Sequence, residues 1–251
     1  AAYHADRYPD PLCRELCAAI ARAESVPAEW VLCGNGAADL IFRLALSVRP
    51  RSALILSPTF AEYAAALETV GCEICRYELS ERNDFALTPE FADAIDENVD
   101  MVFLCQPNNP TGQVANRTLM QKILEQCQAV GAWLAVDECF LDFLPDGNLF
   151  TMKGELAGGR RLFILKAFTK LYGMAGVRLG YGLCADGELL THMRNAGQPW
   201  AVSSLAQAAG IAALEQGDYV ERVRTLVEEE RPYLMEGMRA LGLHVIAGRA
   251  N

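Results

Sequence analysis

The sequence predicts an α/β protein built on a mostly parallel, seven-stranded sheet that helices cover on both faces. Short apolar runs alternate along the chain with longer amphipathic stretches, which is the order of strands and helices around a parallel sheet. Several of these runs are nearly continuous in Val, Ile, Leu and Phe, as expected of strands buried on both faces. The composition agrees with a packed chain, because 52% of the 251 residues are hydrophobic and 22% are charged.

Seven strands are predicted in chain order. They cover residues 30–33, 52–57, 72–79, 101–105, 133–137, 162–166 and 179–184. Helices are predicted over 37–47, 60–70, 116–130 and 186–195, and a helical tail over about 203–240. Pro232 predicts a kink or break in that tail, because proline lacks the backbone N–H of a helix interior. The last segment, LHVIAGRAN at 243–251, is expected to begin another strand.

Charge and hydropathy exclude several classes of partner. The net charge of −10 and the pI near 4.9 argue against binding to nucleic acid or to anionic membranes. No apolar run approaches the roughly 20 residues that span a bilayer, and no signal peptide opens the sequence. We therefore expect a soluble, cytoplasmic protein.

The cysteines predict neither a disulfide framework nor a metal site. There are nine of them, an odd number scattered along the chain, which favours reduced thiols. Cys72 and Cys75 have the spacing of zinc ligands, but no second pair accompanies them. They also lie in a predicted strand, where positions three apart point to opposite faces.

Candidate functional residues follow the predicted strands, because ligands of open α/β sheets gather at the carboxyl ends of the strands. These residues are Gly34-Asn35-Gly36 after the first strand, Pro58-Thr59-Phe60 after the second, the loop QPNNPTG at 106–112, Asp137-Glu138, and the segment KAFTK at 166–170. Amides, an acid and lysines at neighbouring strand ends predict a single polar site.

The chemistry of these groups leaves alternatives open. Lys170 is either a Schiff-base nucleophile in an apolar surrounding or a rim lysine that pairs with an acid. Asp137 either holds a loop amide or an arginine, or keeps the nitrogen of a bound ring protonated. The turn before Ala37 could present helix amides to a phosphate. A dinucleotide-binding motif fits worse, because Asp39 stands where that motif has its third glycine.

Three motifs in order give the sequence a resemblance to a known family. They are PNNPTG at 107–112, Asp137-Glu138 after an apolar strand, and Lys170 followed eight residues later by Arg178. In this order and spacing the sequence resembles the fold type I pyridoxal-phosphate enzymes of the class I/II aminotransferase superfamily. The resemblance runs from RYPDP at 7–11 to GRAN at 248–251.

The resemblance implies pyridoxal 5′-phosphate as cofactor and a role for each matching residue. Lys170 would form the Schiff base with the cofactor and then move protons, Asp137 would pair with the protonated pyridine nitrogen, and Asn109 would bond to the phenolic oxygen. The cofactor phosphate would be bound by the turn at Gly36, Ala37 and Ala38, together with Thr169 and Arg178. Phe60 would stack on the ring, and Tyr8 would reach the cofactor phosphate of a second subunit, which implies a homodimer.

The resemblance also implies a division into domains. Residues 1–216 would form the cofactor-binding large domain, with 1–29 approaching it from the small-domain side. Residues 217–251 would begin a small α/β domain that is expected to be incomplete, because relatives of this type are longer. The arginines that grip the substrate carboxylate commonly come from that domain, and Arg249 is the candidate that this sequence offers.

Softer markers distinguish subgroups of the superfamily. GNG at 34–36, FAEYAAAL at 60–67, Phe140, QPWAVSSLA at 198–206 and GRAN are similar to the L-threonine-O-3-phosphate decarboxylases of cobalamin synthesis. Histidinol-phosphate aminotransferases usually have a tyrosine where Phe140 stands, and many relatives have a hydroxyl in place of Ala167. The resemblance thus implies decarboxylation of threonine phosphate to aminopropanol phosphate. The alternatives are transamination of histidinol phosphate with 2-oxoglutarate, or a truncated or inactive protein that only binds the cofactor.

Overall fold

A computed structural model describes residues 6–158 and 161–249 of the chain. Its strands are β1 (Val31–Gly34), β2 (Ser52–Ser57), β3 (Glu73–Glu78), β4 (Met101–Cys105), β5 (Trp133–Asp137), β6 (Leu162–Ala167) and β7 (Gly180–Leu183). Its α-helices are α1 (Arg14–Glu24), α2 (Ala37–Val48), α3 (Glu62–Glu68), α4 (Arg117–Val130), α5 (Gly187–Ala196), α6 (Ser204–Leu214) and α7 (Gly217–Ala240). Short 3-10 turns connect several of these elements.

The seven strands form one mixed sheet in the order β1-β7-β6-β5-β4-β2-β3. Strands β2, β3, β4, β5 and β6 run parallel to one another, and β7 is antiparallel to both β6 and β1. The predicted α/β fold with a mostly parallel sheet is therefore confirmed. Because β1 has the same direction as β6, the carboxyl ends of six strands meet at one edge of the sheet.

Helices cover both faces of this sheet, as predicted. On one face, Leu16 of α1 and Ile123 of α4 pack with alternate strand residues such as Val102. On the other face, Leu40 of α2 and Tyr63 of α3 pack with the intervening strand residues. Alternation along each strand places successive side chains in these two cores, so that strands such as β2 and β4 are largely apolar, whereas the edge strand β3 is more exposed and carries charged residues.

Local polar residues fix where several helices begin and end. The side chain of Asn116 accepts a hydrogen bond from the Leu119 N–H and caps α4, and Asp186 and Ser203 cap α5 and α6 in the same way. Gly131 ends α4 with φ of 81°, a conformation that favours glycine. The boundaries predicted for α4 and α5 agree with the structure to within one residue.

Two predictions about the carboxyl-terminal part were wrong, namely a break at Pro232, which was one of the two alternatives predicted there, and a strand within residues 243–249. The helix α7 continues through Pro232, because this helix has no buried residue and the carbonyl left without a donor lies next to water. The described part of LHVIAGRAN, residues 243–249, contains no strand. The backbone of Arg249 instead donates to the carbonyl of Gly112, and this segment has no ladder of strand hydrogen bonds.

The helix α1 was not anticipated from the sequence, and the predicted tail is two helices. The apolar face of α1 consists of few residues, among them Leu16 and Ile20, which are fully buried. The tail divides between α6 and α7, and Val220 and Val223 of α7 pack against Leu141 beside the sheet edge. Among the described residues, no helix is both long and apolar enough to cross a membrane.

Candidate active site

A cavity of about 140 Å³ opens at the edge where the carboxyl ends of the strands meet. Residues at or after the carboxyl ends of β1, β2, β4, β5 and β6 surround it. They are Ala37, Ala38, Phe60, Cys105, Asn109, Asp137, Cys139, Phe140, Ala167, Thr169, Lys170 and Arg178. Eight of these were proposed from the sequence as cofactor-binding residues, although they come from distant parts of the chain.

Asp137 forms the floor of the cavity. Its carboxylate accepts hydrogen bonds from the Tyr63 hydroxyl (2.7 Å) and from the Cys139 N–H (2.9 Å). Burial raises the pKa of Asp137, while these two donors and the charge of Lys170 oppose that rise. The result is a buried carboxylate with two fixed donors, a group well suited to pair with a cation bound above it.

Tyr63 is a residue of this site that the sequence analysis did not single out. It lies on α3, three residues after Phe60, and its ring is fully buried. The ring stacks on Phe103 at 5.0 Å between centroids and meets Phe60 edge-on at 5.5 Å. The helical spacing of Phe60 and Tyr63 was the available signal, but the pairing with Asp137 depends on the packing of α3 on the sheet.

Replacing Tyr63 by Phe should lower the free energy of unfolding by about 1.5 to 3 kcal/mol at neutral pH, because a buried carboxylate loses a hydrogen-bond donor. The hydroxyl lowers the pKa of Asp137, so the variant should have a higher pKa there. The loss should therefore shrink at acid pH, where Asp137 is protonated in both proteins. Urea unfolding across pH measures it, with Tyr77→Phe on β3 as control. Equal losses at every pH would contradict a carboxylate-specific role.

The loop after β4 is held rigidly against β2. The side chain of Asn108 accepts from the Thr59 hydroxyl (2.9 Å) and donates to the Pro58 carbonyl (3.0 Å). Within the loop, the backbone N–H of Asn108 donates to Gln113 at 2.8 Å. These contacts fix the neighbouring Asn109, whose side chain lines the cavity.

The side of the cavity formed after β6 contains Lys170 and Thr169. Lys170 is exposed, and its Nζ lies 5.3 Å from the centroid of the Phe140 ring. The ring of Phe140 carries no hydroxyl, so this position offers no hydrogen bond to a bound ring. An amine at the rim of the cavity, opposite the Asp137 floor, is free to react with a carbonyl compound.

The amino-terminal end of α2 provides an anion site at the cavity wall. Gly36 precedes the helix with φ of 85°, and no side chain caps the helix there. A Cβ at Gly36 would lie 2.6 Å from an Nη of Arg178, so only glycine fits this turn beside the guanidinium. The first N–H groups of α2 and the Arg178 charge therefore face the same space, which suits a phosphate.

Lys166, the alternative lysine, does not line this cavity. Its Nζ is buried and lies 2.9 Å from both Glu24 and Asp142. Burial opposes its charge, but the carboxylates of Asp142 and Glu24 outweigh that and raise the pKa of Lys166. Burial would also raise the pKa of Glu24, yet Lys166 and Lys153 hold it at about 2. Lys166 is therefore a protonated structural cation rather than a nucleophile.

Replacing Lys166 by Met should lower the free energy of unfolding by about 3 kcal/mol, because the buried Glu24 and the partly exposed Asp142 lose a shared cation. Cofactor attachment to lysine should survive in the folded variant. Urea unfolding and borohydride reduction measure the two properties, and Lys122→Met, at an exposed site on α4, is the control. Loss of borohydride-trapped cofactor from stably folded Lys166→Met protein would contradict the structural assignment.

Two predicted site residues lie away from the cavity. Tyr8 is exposed and packs its ring on Trp200 at 4.9 Å, so its proposed contact with a second subunit stays a prediction. Arg249 forms a two-oxygen ion pair with Asp146 at 2.8 Å and lies over the Phe150 ring. Within this chain its guanidinium does not reach the cavity.

The cysteine pair with zinc-like spacing has no further ligands nearby. Cys72 is buried and Cys75 is exposed. In the described ranges, no three His, Cys, Asp or Glu side chains are placed to hold a metal ion.

Comparison with known proteins assigns the family. The family model for aminotransferases of class I and II matches residues 5–251. The chain belongs to this family. It is 38% identical over 247 residues to the threonine-phosphate decarboxylase of Salmonella typhimurium, covering 98% of this chain and 67% of that protein. It is 35% identical to the histidinol-phosphate aminotransferase of Symbiobacterium thermophilum, covering 97% of this chain and 66% of that protein. The chain thus spans about two thirds of the length of these relatives.

Solved structures of the family have the same fold. A histidinol-phosphate aminotransferase from Clostridium acetobutylicum superimposes with a TM-score of 0.89 at 27% identity, covering 98% of this chain and 73% of that one. An L-threonine-O-3-phosphate decarboxylase from Porphyromonas gingivalis superimposes with a TM-score of 0.75 at 26% identity, covering 85% of this chain and 65% of that one. The large-domain fold of pyridoxal-phosphate enzymes is therefore shared by relatives with different reactions.

Pyridoxal 5′-phosphate is the cofactor of this family, and the cavity fits it. The uncapped start of α2 and Arg178 offer donors to a phosphate. Asp137 offers a buried carboxylate to a protonated ring nitrogen, and Lys170 offers an amine. Each functional group of the cofactor thus has a complementary group in one cavity.

Proposed function

We propose that this protein decarboxylates L-threonine O-3-phosphate to aminopropanol phosphate, with pyridoxal 5′-phosphate as cofactor, as a step of cobalamin biosynthesis. The observation that carries the proposal is the 38% identity to the Salmonella threonine-phosphate decarboxylase across 98% of this chain. Phe140 in the cavity supports it, because a phenylalanine stands where the histidinol-phosphate aminotransferases usually have a tyrosine. A homodimer in the cytoplasm, with Tyr8 of each subunit serving the other, belongs to the same proposal.

In this proposal the residues of the cavity divide the work between binding and proton transfer. The bound cofactor supplies an electron sink for the bond that breaks at Cα of the substrate. Asp137 keeps the ring nitrogen protonated, Asn109 donates to the phenolic oxygen, and Phe60 packs on the ring. Gly36, Ala37, Ala38, Thr169 and Arg178 bind the phosphate. Lys170 is the attachment point, and its amine returns a proton to Cα after CO₂ has left.

Transamination of histidinol phosphate is the second candidate function. It is supported by the 35% identity to the Symbiobacterium enzyme and by the TM-score of 0.89 with the Clostridium structure. The two reactions break different bonds at Cα, and the groups that hold the substrate would decide which of these bonds breaks. Lys170 would then remove the Cα proton and return it to the cofactor carbon.

The deciding experiment supplies the full-length protein with pyridoxal phosphate and L-threonine O-phosphate and measures CO₂ release without any keto acid. Release that depends on Lys170 supports the decarboxylase. Glutamate formation from histidinol phosphate and 2-oxoglutarate, without CO₂ release, assigns the protein to the aminotransferases. If neither product forms but the protein shows the absorbance of lysine-bound cofactor, the protein only binds the cofactor.

A further inference from the structure

Three thiols converge on the side of the sheet edge where α1 packs against β1. Cys13 lies at the start of α1, Cys17 follows one turn later, and Cys33 is on β1. The Sγ atoms of Cys17 and Cys33 are 3.7 Å apart, and the Cys17 sulfur also lies 3.8 Å from the Val31 carbonyl oxygen. All three cysteines are free thiols in the structure.

These thiols line a second cavity, of about 380 Å³, that shares no residue with the cofactor cavity. The opposite wall is formed by residues 194–195 and 197–202, and Arg43 and Arg194 both contribute to the lining. Cys17 and Cys33 are mostly covered, with 9% and 7% of their surfaces exposed, but the cavity gives a small reagent a route to them. Arg194 beside Cys17 favours the thiolate form, Asp10 opposes it, and Arg43 is paired with Asp39 at 2.8 Å.

The electrostatic surroundings make Cys17 the reactive member of the pair. The hydrogen bond from the Cys33 thiol lowers the pKa of Cys17, burial opposes this, and the charge of Arg194 assists it. The pKa of Cys33 is raised well above its usual range by the thiols of Cys13 and Cys17 and by burial. By contrast, burial raises the pKa of Cys105, in the cofactor cavity, to about 12.

We propose that Cys17 and Cys33 are a site of reversible oxidation, at which a hydroperoxide converts the two thiols into an intramolecular disulfide. The Cys17 thiolate attacks one peroxide oxygen, the O–O bond breaks, and Cys17 becomes a sulfenic acid while the leaving oxygen takes a proton as water or alcohol. The Cys33 sulfur then attacks the Cys17 sulfur, and the S–O bond breaks. The hydroxide that leaves takes the Cys33 proton and departs as water. Two thiols lose two electrons in total, and the peroxide gains them.

The two sulfurs are already in contact at 3.7 Å, and the disulfide requires them to approach to about 2.05 Å. Cys33 directly precedes the Gly34-Asn35-Gly36 turn that leads into α2. The disulfide would therefore tie α1 to the strand that carries the phosphate end of the cofactor cavity.

Peptide mapping tests the proposal on the cofactor-loaded protein. The protein is treated with hydrogen peroxide, its remaining thiols are blocked with iodoacetamide, and it is digested with trypsin without reduction. Arg14 and Arg22 separate the three cysteines into peptides 8–14, 15–22 and 23–43. We expect a disulfide-linked pair of 15–22 with 23–43, and we expect dithiothreitol to separate it.

The exposed Cys75 reports whether the oxidant reached the protein. Cys17→Ser should abolish the linked pair, and Cys127→Ser, a buried cysteine on α4, should leave it unchanged. If Cys75 is oxidised while 15–22 and 23–43 remain alkylated and unlinked in the wild-type protein, the site does not exist. A link between 8–14 and 23–43 would overturn the assignment of Cys17 as the reacting thiol.

Discussion

Replacement of Lys170 by alanine is expected to abolish cofactor that borohydride can trap and to lower turnover by about 10³-fold or more. Lys170 is the lysine that lines the cavity with Asp137 and Asn109, whereas Lys166 is enclosed by Glu24 and Asp142. The alanine variant should still fold, because Lys170 is exposed and its amine lies over the Phe140 ring rather than in the core. Mass spectrometry after borohydride reduction measures the attachment.

The control for this experiment is Lys122→Ala, which removes an exposed lysine of α4 and should keep both trapping and turnover. Covalent trapping in the Lys170→Ala protein would place the attachment on another lysine. Unchanged turnover in that variant would exclude the proposed chemistry altogether. The two readouts are independent, because the first reports attachment and the second reports the whole reaction.

Asp137→Asn is expected to lower turnover by about 10² to 10³-fold, because it removes the charge that we propose holds the ring nitrogen protonated, while it preserves the shape of the side chain. The unliganded protein should unfold at a similar or higher urea concentration, since asparagine does not bury a charge. Steady-state kinetics and urea unfolding measure these two effects. A variant that merely disturbed packing would lose stability and activity together.

The pH dependence gives Asp137 a separate signature. Burial raises the pKa of this carboxyl above its ordinary value. This raised pKa belongs to the protein without cofactor, so binding of the cofactor should weaken as the pH drops through it, and the loss should begin at a higher pH than for an exposed aspartate. Cofactor binding to Asp137→Asn should lack this acid limb, because asparagine does not titrate. An unchanged acid limb in the variant would assign it to another group.

Local patterns in the sequence determined most of the architecture. Apolar runs marked the strands, and they are nearly continuous in buried strands such as β4, whereas the more exposed β3 carries charged residues between its apolar ones. The amphipathic stretches marked several helices, and the structure places the capping residue Asn116 and the glycine Gly131 at the ends of one of them. The residues after the strands marked eight of the cavity-lining positions, because parallel strands carry their carboxyl ends to one edge. Family motifs then indicated the chemistry that these positions serve.

Tertiary structure alone decided which of these residues meet. Tyr63 reaches Asp137 across 74 positions of sequence, and Glu24 reaches Lys166 across 142, so no local pattern contains either pair. The choice between Lys166 and Lys170 also depended on packing. Glu24 and Asp142 pair with Lys166, whereas Lys170 lines the cofactor cavity. Likewise, α1 brings Cys17 to Cys33 only when it packs beside β1. The burial of each titratable group and its distance from neighbouring charges set its protonation state. Both arise from contacts between segments that are far apart in the chain.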